Sequence, residues 1–182
     1  MQRELVERAR RGDHDAFAVL VRSAIPRLTG TAELITRDPE RAQDALQNAL
    51  IRAWRDLPGL RDPDKFEAWL YRMLVRACYD EFRRGRRGID LDLSDTVLPI
   101  VADPATSILD RDQIEAGLRR LDATARALVV LHYYADLSLP AVAEALDMPL
   151  GTAKSRLHRA VLAMRAAFEA DELAPAPEGS LA

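Results

Sequence analysis

Two tripeptides, Asp38-Pro39-Glu40 and Asp62-Pro63-Asp64, constrain this chain more than any other feature. In each, an aspartate offers an acceptor to the free amides of a helix start. A proline suits the first turn because it has no N–H to lose, and the acid that follows faces the positive end of the helix dipole. Apolar residues then step by three and four. Behind the first signal, Ala42, Ala45, Leu46, Ala49, Leu50, Ala53, Trp54 and Leu57 form one stripe that Pro58-Gly59 closes. Behind the second, Phe66, Trp69, Leu70, Met73, Leu74, Ala77 and Phe82 form another, ending near Gly85. Gly12-Asp13 precedes a third, with Phe17, Leu20, Val21, Ala24, Leu28, Ala32 and Ile35 on one side.

The pattern changes after Gly88. Residues 89–107 hold Asp90, Asp92, Asp95 and Asp103, two prolines, no basic residue and no helical stripe, which predicts an extended acidic linker. The run Ile89-Asp90-Leu91-Asp92-Leu93 alternates like a strand, but a lone strand has no partner here. Helical spacing resumes at about Asp110, with Ile114, Leu118 and Leu121. Asp122 caps a second helix containing Leu128, Val129, Leu131 and His132, and Ser138 caps a short one with Val142, Ala143 and Leu146. Asp147-Met148-Pro149 is a break, and Leu150 to Phe168 a last helix. The tail from Asp171 has no stripe and is expected to be disordered. The expected fold is all-α: a helical domain at 1–88, an acidic linker at 89–108, a helix-turn-helix domain at 109–170 and a tail at 171–182.

Composition narrows the function. Of 182 residues, 48% are hydrophobic and 30% charged, as in a soluble globular protein. Charges interrupt every apolar stretch, so no segment is expected to enter a membrane, and the N-terminus has acids where a signal peptide needs an apolar run. A cytoplasmic location is expected. The one cysteine, Cys78, excludes an intrachain disulfide and a multi-cysteine metal site. His14, His132 and His158 fall in three different elements without metal-ligand spacing, and there is no glycine-rich phosphate loop. His132, on an apolar stripe, reads as a satisfied core histidine. Neither an enzyme, a metal nor a cofactor is expected.

The net charge of −3 argues against a protein that coats nucleic acid by bulk attraction, but not against local basic faces. Two such faces exist. In the last helix, Ala153, Leu157, Ala160, Val161, Met164 and Phe168 are expected to be buried, leaving Thr152, Lys154, Ser155, His158 and Arg159 outward near the helix start. These are groove-reaching and phosphate-binding types on the second helix of a helix-turn-helix. The other face ends the first domain: Arg72, Arg76, Arg83, Arg84, Arg86 and Arg87 against only Asp80 and Glu81, interleaved with Trp69, Tyr71, Tyr79 and Phe82. Arginines neutralise a backbone while aromatics stack on unpaired bases, although Trp69 and Phe82, each taken alone, fit the core better than a contact.

These segments resemble a known family. Phe66-Glu67-Ala68-Trp69-Leu70-Tyr71-Arg72, followed by Arg83-Arg84, is similar to the promoter-melting and minus-ten-reading helices of extracytoplasmic-function (ECF) sigma factors of the sigma-70 family. Leu139 to Ala160, with Gly151-Thr152-Ala153-Lys154-Ser155-Arg156-Leu157-His158-Arg159, resembles that family's minus-thirty-five-reading helix-turn-helix. Asp44-Ala45-Leu46-Gln47 and Arg52-Ala53-Trp54 look like the helix that docks on the coiled coil of the largest polymerase subunit. The resemblance implies contacts from Lys154, Ser155, His158 and Arg159 to the upstream element, with Thr152 and Arg156 nearer phosphates. It implies downstream contacts and melting from Trp69 and the arginines between Arg72 and Arg87, and polymerase docking by Asp44, Gln47 and Asn48. It further implies core RNA polymerase, including its flap, and promoter DNA as partners, allows an anti-sigma factor as another, and implies a linker threaded through a basic polymerase channel. Two positions depart from the family's habit: Asn48, where Glu is common, and Arg76, where Asn is frequent. The alternatives are a helix-turn-helix regulator acting without polymerase, and a sigma-like decoy that occupies polymerase without opening DNA.

Overall fold

The computed structural model describes residues 2–88 and 108–172; the acidic linker at 89–107 and the tail from 173 lie outside the described residues. The first domain is α1 (Gln2–Arg10), α2 (His14–Thr36), α3 (Pro39–Asp56) and α4 (Phe66–Gly88). The second is α5 (Ile108–Arg119), α6 (Ala123–Val129), α7 (Leu139–Ala145) and α8 (Leu150–Glu172). Among the described residues there is no strand.

Helix starts follow the local chemistry. Asp13 accepts from the Ala16 N–H at 3.0 Å, and that amide, with the Arg8 guanidinium, holds its carboxyl below the ordinary value. Asp38 accepts from the amides of Glu40 (3.0 Å) and Arg41 (3.1 Å), Asp122 from Ala125 (2.8 Å) and Ser138 from Ala141 (3.4 Å). Asp62 also caps, but it opens a single 3-10 turn, Pro63–Lys65, before α4 begins.

Several elements differ from the sequence expectation. Helix α1 carries too few apolar residues to signal itself; Val6 and Ala9 become buried because α1 packs on α2. Helix α2 runs through Pro26, which removes one helical hydrogen bond where Ile25, Pro26 and Arg27 are exposed and water can replace it. Helix α4 passes Gly85 and reaches Gly88. Beyond α6 the chain widens into a π turn, Val130–Tyr134, closed by the Ala135 N–H on the Val130 carbonyl at 2.9 Å.

Alanine spacing sets the packing of the first domain. Ala42, Ala45, Ala49 and Ala53 are all buried on one side of α3, and with so little side chain between them α3 and α4 make the broadest helix–helix contact in the molecule. Leu28, Ile35, Leu57 and Leu74 fill the remaining core, each contributing roughly 1.5–3 kcal/mol. In the second domain Leu128, Leu131 and Val142 are fully buried. Gly117 on α5 sits against α8, where a Cβ would lie 3.0 Å from the Phe168 ring and 3.1 Å from the Met164 methyl. The two domains touch: α7 lies on α4, and the π turn lies on α2. Their buried residues form one continuous core.

Candidate nucleic-acid and polymerase interfaces

The α7–α8 turn positions the upstream face. Asp147 adopts a left-handed conformation (φ 53°), and the Met148 N–H returns to the Ala143 carbonyl at 3.0 Å, ending α7 cleanly. Helix α8 then starts with Ala153, Leu157 and Ala160 buried. Lys154, Ser155, Arg156, His158 and Arg159 are exposed and Thr152 is half-buried. No carboxylate occurs between Leu150 and Phe168, so this face is uniformly cationic. The Ser155 hydroxyl donates to the Thr152 carbonyl (3.1 Å) and Arg159 Nε to the Ser155 carbonyl (3.4 Å), bonds that water or phosphate can replace. Arg165, seven residues beyond His158, is exposed along the same side. Its helical spacing from His158 is the sequence signal for it.

The downstream face is more mixed. Lys65, Trp69, Arg72 and Arg76, spaced by four, three and four, share one side at the start of α4. Arg76 and Arg83 are exposed, whereas Arg84 pairs with the buried Glu81 at 2.6 Å. Arg86 and Arg87 belong to the last turn of α4, but their side chains lie outside the described residues. Of the interleaved aromatics, Tyr71 is core: it is 3% exposed, and burial pushes its hydroxyl up to about 12. Trp69, Tyr79 and Phe82 are half-buried against the core, so none of the four presents a fully open ring. Arg72 is engaged by the second domain, its Nε donating to the Glu144 carbonyl at 3.0 Å. Glu144 is a residue that sequence reasoning missed, because its partners are more than seventy positions away.

On α3, Asp44 and Gln47 are exposed on one side, while Asn48 turns inward and donates from Nδ2 to Glu81 Oε1 at 3.4 Å. That contact gives the Asn48 departure a physical reason, since a carboxylate at position 48 would face the carboxylate of Glu81. Ile51 also lies on the Asp44–Gln47 side, 57% exposed. It was missed because it falls outside the apolar stripe of α3, although its spacing from Gln47 marks it as a neighbour. Trp54, seven residues beyond Gln47, lies half-buried at the edge of that side, stacked on His14 at 4.1 Å and tilted against Phe17 at 5.2 Å, and so ties α3 to α2.

Catalytic chemistry has little to draw on here. His14 is stacked on Trp54, His132 Nδ1 meets the Leu137 carbonyl at 2.9 Å, and His158 is on α8. Among the described residues no cluster of His, Cys, Asp or Glu could hold a metal ion, and no helix is long and apolar enough to cross a membrane. Burial pushes the Cys78 thiol up to about 12, which keeps it protonated and unreactive. A cavity of about 520 Å³ between α1, α2 and α4 is lined mainly by Leu5, Val19, Leu20, Ala24, Phe66 and Leu70.

Comparison with known proteins matches these two helical groups to two family models, sigma-70 region 2 at residues 20–88 and sigma-70 region 4 at residues 111–164. The RNA polymerase sigma-H factor of Pseudomonas aeruginosa is 33% identical over 171 residues, 86% of this chain and 88% of that protein. The ECF RNA polymerase sigma factor SigM of Mycobacterium tuberculosis is 36% identical, covering 82% of this chain and 75% of that one. Among solved structures, CnrH in complex with the cytosolic domain of CnrY superposes with a TM-score of 0.71 at 25% identity, covering 93% of this chain and 98% of that one. The sigma factor RpoE of Bartonella quintana, solved with the anti-sigma factor NepR, gives a TM-score of 0.75 at 23% identity over 85% of this chain and 98% of that one, a likeness of fold. With two region models matched in series and relatives above 30% identity covered over three quarters or more of their length, the chain belongs to the ECF group of the sigma-70 family of RNA polymerase sigma factors.

Proposed function

We propose that this protein docks on core RNA polymerase and directs it to promoters, gripping DNA at two points and helping to open it, without catalysis of its own. The observation that carries the reading is the exposed face of α8 between Leu150 and Phe168, free of acids and presented by the α7–α8 turn in the manner of a recognition helix. In this assignment Lys154, Ser155, His158 and Arg159 meet the upstream element, with Thr152 and Arg156 nearer phosphates. Trp69, Arg72, Arg76, Arg83, Arg84, Arg86 and Arg87 serve the downstream element, Arg76 through phosphate or guanine rather than an adenine edge. Asp44 and Gln47, with Ile51 as an apolar anchor, dock on the coiled coil of the largest polymerase subunit, and Asn48 supports them from beneath through Glu81. The second domain would rest on the polymerase flap.

The domain limits assigned to these tasks are 1–88, 89–108 and 109–170, with the acidic segment between Ile89 and Ser107 threading a basic channel of polymerase. The protein would work in the cytoplasm, and an anti-sigma factor is a fitting regulator, since the Bartonella relative was solved with one. Run-off transcription with purified bacterial core polymerase, on the DNA upstream of this protein's own gene, tests the reading. A defined start site that depends on the protein is expected. If the protein binds duplex DNA but neither joins core polymerase nor directs a start, it is a polymerase-independent regulator; if it joins core and directs none, it is a decoy.

A further inference from the structure

The leading end of α8 carries a leucine that the packing leaves bare. The Ala153 N–H bonds the Pro149 carbonyl at 3.0 Å, which makes Leu150 the first residue of the helix, and its side chain is 48% exposed. Met148, two residues earlier, packs against the core instead. Leu150, Lys154 and His158 follow one another at intervals of four and are all exposed, so they share one side of α8. Helical side chains lean toward the N-terminus of their helix, the end at which a recognition helix meets base edges. Among the exposed residues from Asp147 to Arg159, Leu150 is the one large apolar side chain.

A single exposed leucine needs no explanation by itself; its neighbours make this one informative. Pro149, Leu150 and Gly151 form the leading edge of the helix, and none of them has a side-chain donor or acceptor. A Cβ at Gly151 would meet nothing within 4 Å, so the interior does not demand a glycine there, and open space is left beside Leu150. The side chains of this edge can therefore read a base only by apolar contact. In the major groove thymine alone presents an apolar group, its C5 methyl. The matching edge of cytosine offers an amino donor, which a leucine would strip of water without replacing the lost bond.

We propose that Leu150 is a specificity-determining residue, selecting thymine in the upstream element through contact between its side chain and the thymine C5 methyl. The thymine lies within about two base pairs of the one met by Lys154, because one helical turn (~5.4 Å) covers less than two steps of ~3.4 Å. This preference rests on the recognition role proposed for α8 and deepens it, naming a base and an atom where that role names a face. The contact involves no charge, so it leaves the salt dependence of binding unchanged.

Duplexes would be enriched from a random-sequence library by the full chain, alone and with core polymerase. Each thymine of the enriched element would then be replaced singly by deoxyuridine, which lacks only the methyl. Competition binding would compare the unaltered chain with Leu150→Ala and with the conservative Leu150→Met. One replacement is expected to weaken the unaltered chain and Leu150→Met by about fourfold, the size of one buried methyl, and Leu150→Ala by less than about 1.5-fold. Cytosine at that position should bind more weakly still, and 5-methylcytosine should recover part of the loss for the unaltered chain but not for Leu150→Ala. The proposal is overturned if no deoxyuridine replacement distinguishes Leu150→Ala from the unaltered chain, or if Leu150→Ala weakens every duplex by the same factor. Failure of the wider reading would appear differently. Enrichment of no duplex by either preparation would remove the recognition role of α8 and of Leu150 together. Enriched duplexes without a start site in run-off transcription would count against the polymerase role alone.

Discussion

Asn48 illustrates how a single side chain acquires its meaning from its surroundings. Its position on α3 suggested a partner-facing role, yet its amide reaches Glu81, which is 7% exposed and also bonded to Arg84. Asn48→Glu is expected to destabilise the protein by on the order of 1 kcal/mol, through a lost donor and an added like charge. Asn48→Glu combined with Glu81→Gln should recover most of that loss in urea unfolding. Equal destabilisation of the single and double variants would show that Asn48 does not act through Glu81. The tyrosines teach the same lesson. Tyr71 stands among arginines in sequence and looks available for stacking, but α4 turns it into the core. Residue type and spacing indicated an interface nearby; burial determined which side chains remain for it.

At the scale of elements, the caps were legible because they are local. Asp13, Asp38, Asp122 and Ser138 each bond amides two or three residues ahead, and no distant part of the chain is needed for that. The recognition helix was legible for the same reason: its period separates Ala153, Leu157 and Ala160 from Lys154, His158 and Arg159. Lys154→Ala with Arg159→Ala is therefore expected to weaken binding to upstream-element duplex and leave polymerase association intact. If both side chains meet phosphates, the slope of log affinity against log salt should flatten by about 1.8. Loss of polymerase association in that variant would contradict the division of labour between α8 and α3. Helix α1 and the π turn were not legible, because α1 depends on packing against α2, and the π turn changes the helical period without any glycine or proline inside it.

At the scale of the molecule, both tryptophans, Trp54 and Trp69, belong to the first domain, whereas helical circular dichroism reports on both domains. Since the two domains share one buried core, urea curves from fluorescence and dichroism should superimpose for the unaltered chain and separate for Glu144→Lys. Curves already separate in the unaltered chain would mean that the domains unfold independently. Apart from α1 and the π turn, the helix positions and the cationic face at the start of α8 were fixed by interactions within a few residues along the chain, and for that reason they could be derived from its pattern. The meeting of Glu144 with Lys65 and Arg72, the seat of Tyr134 on Gly30 and the inward turn of Asn48 depend on which helix faces lie opposite one another. No local periodicity encodes that choice; it is made by the packing of side chains far apart in the chain, and only the folded molecule contains it.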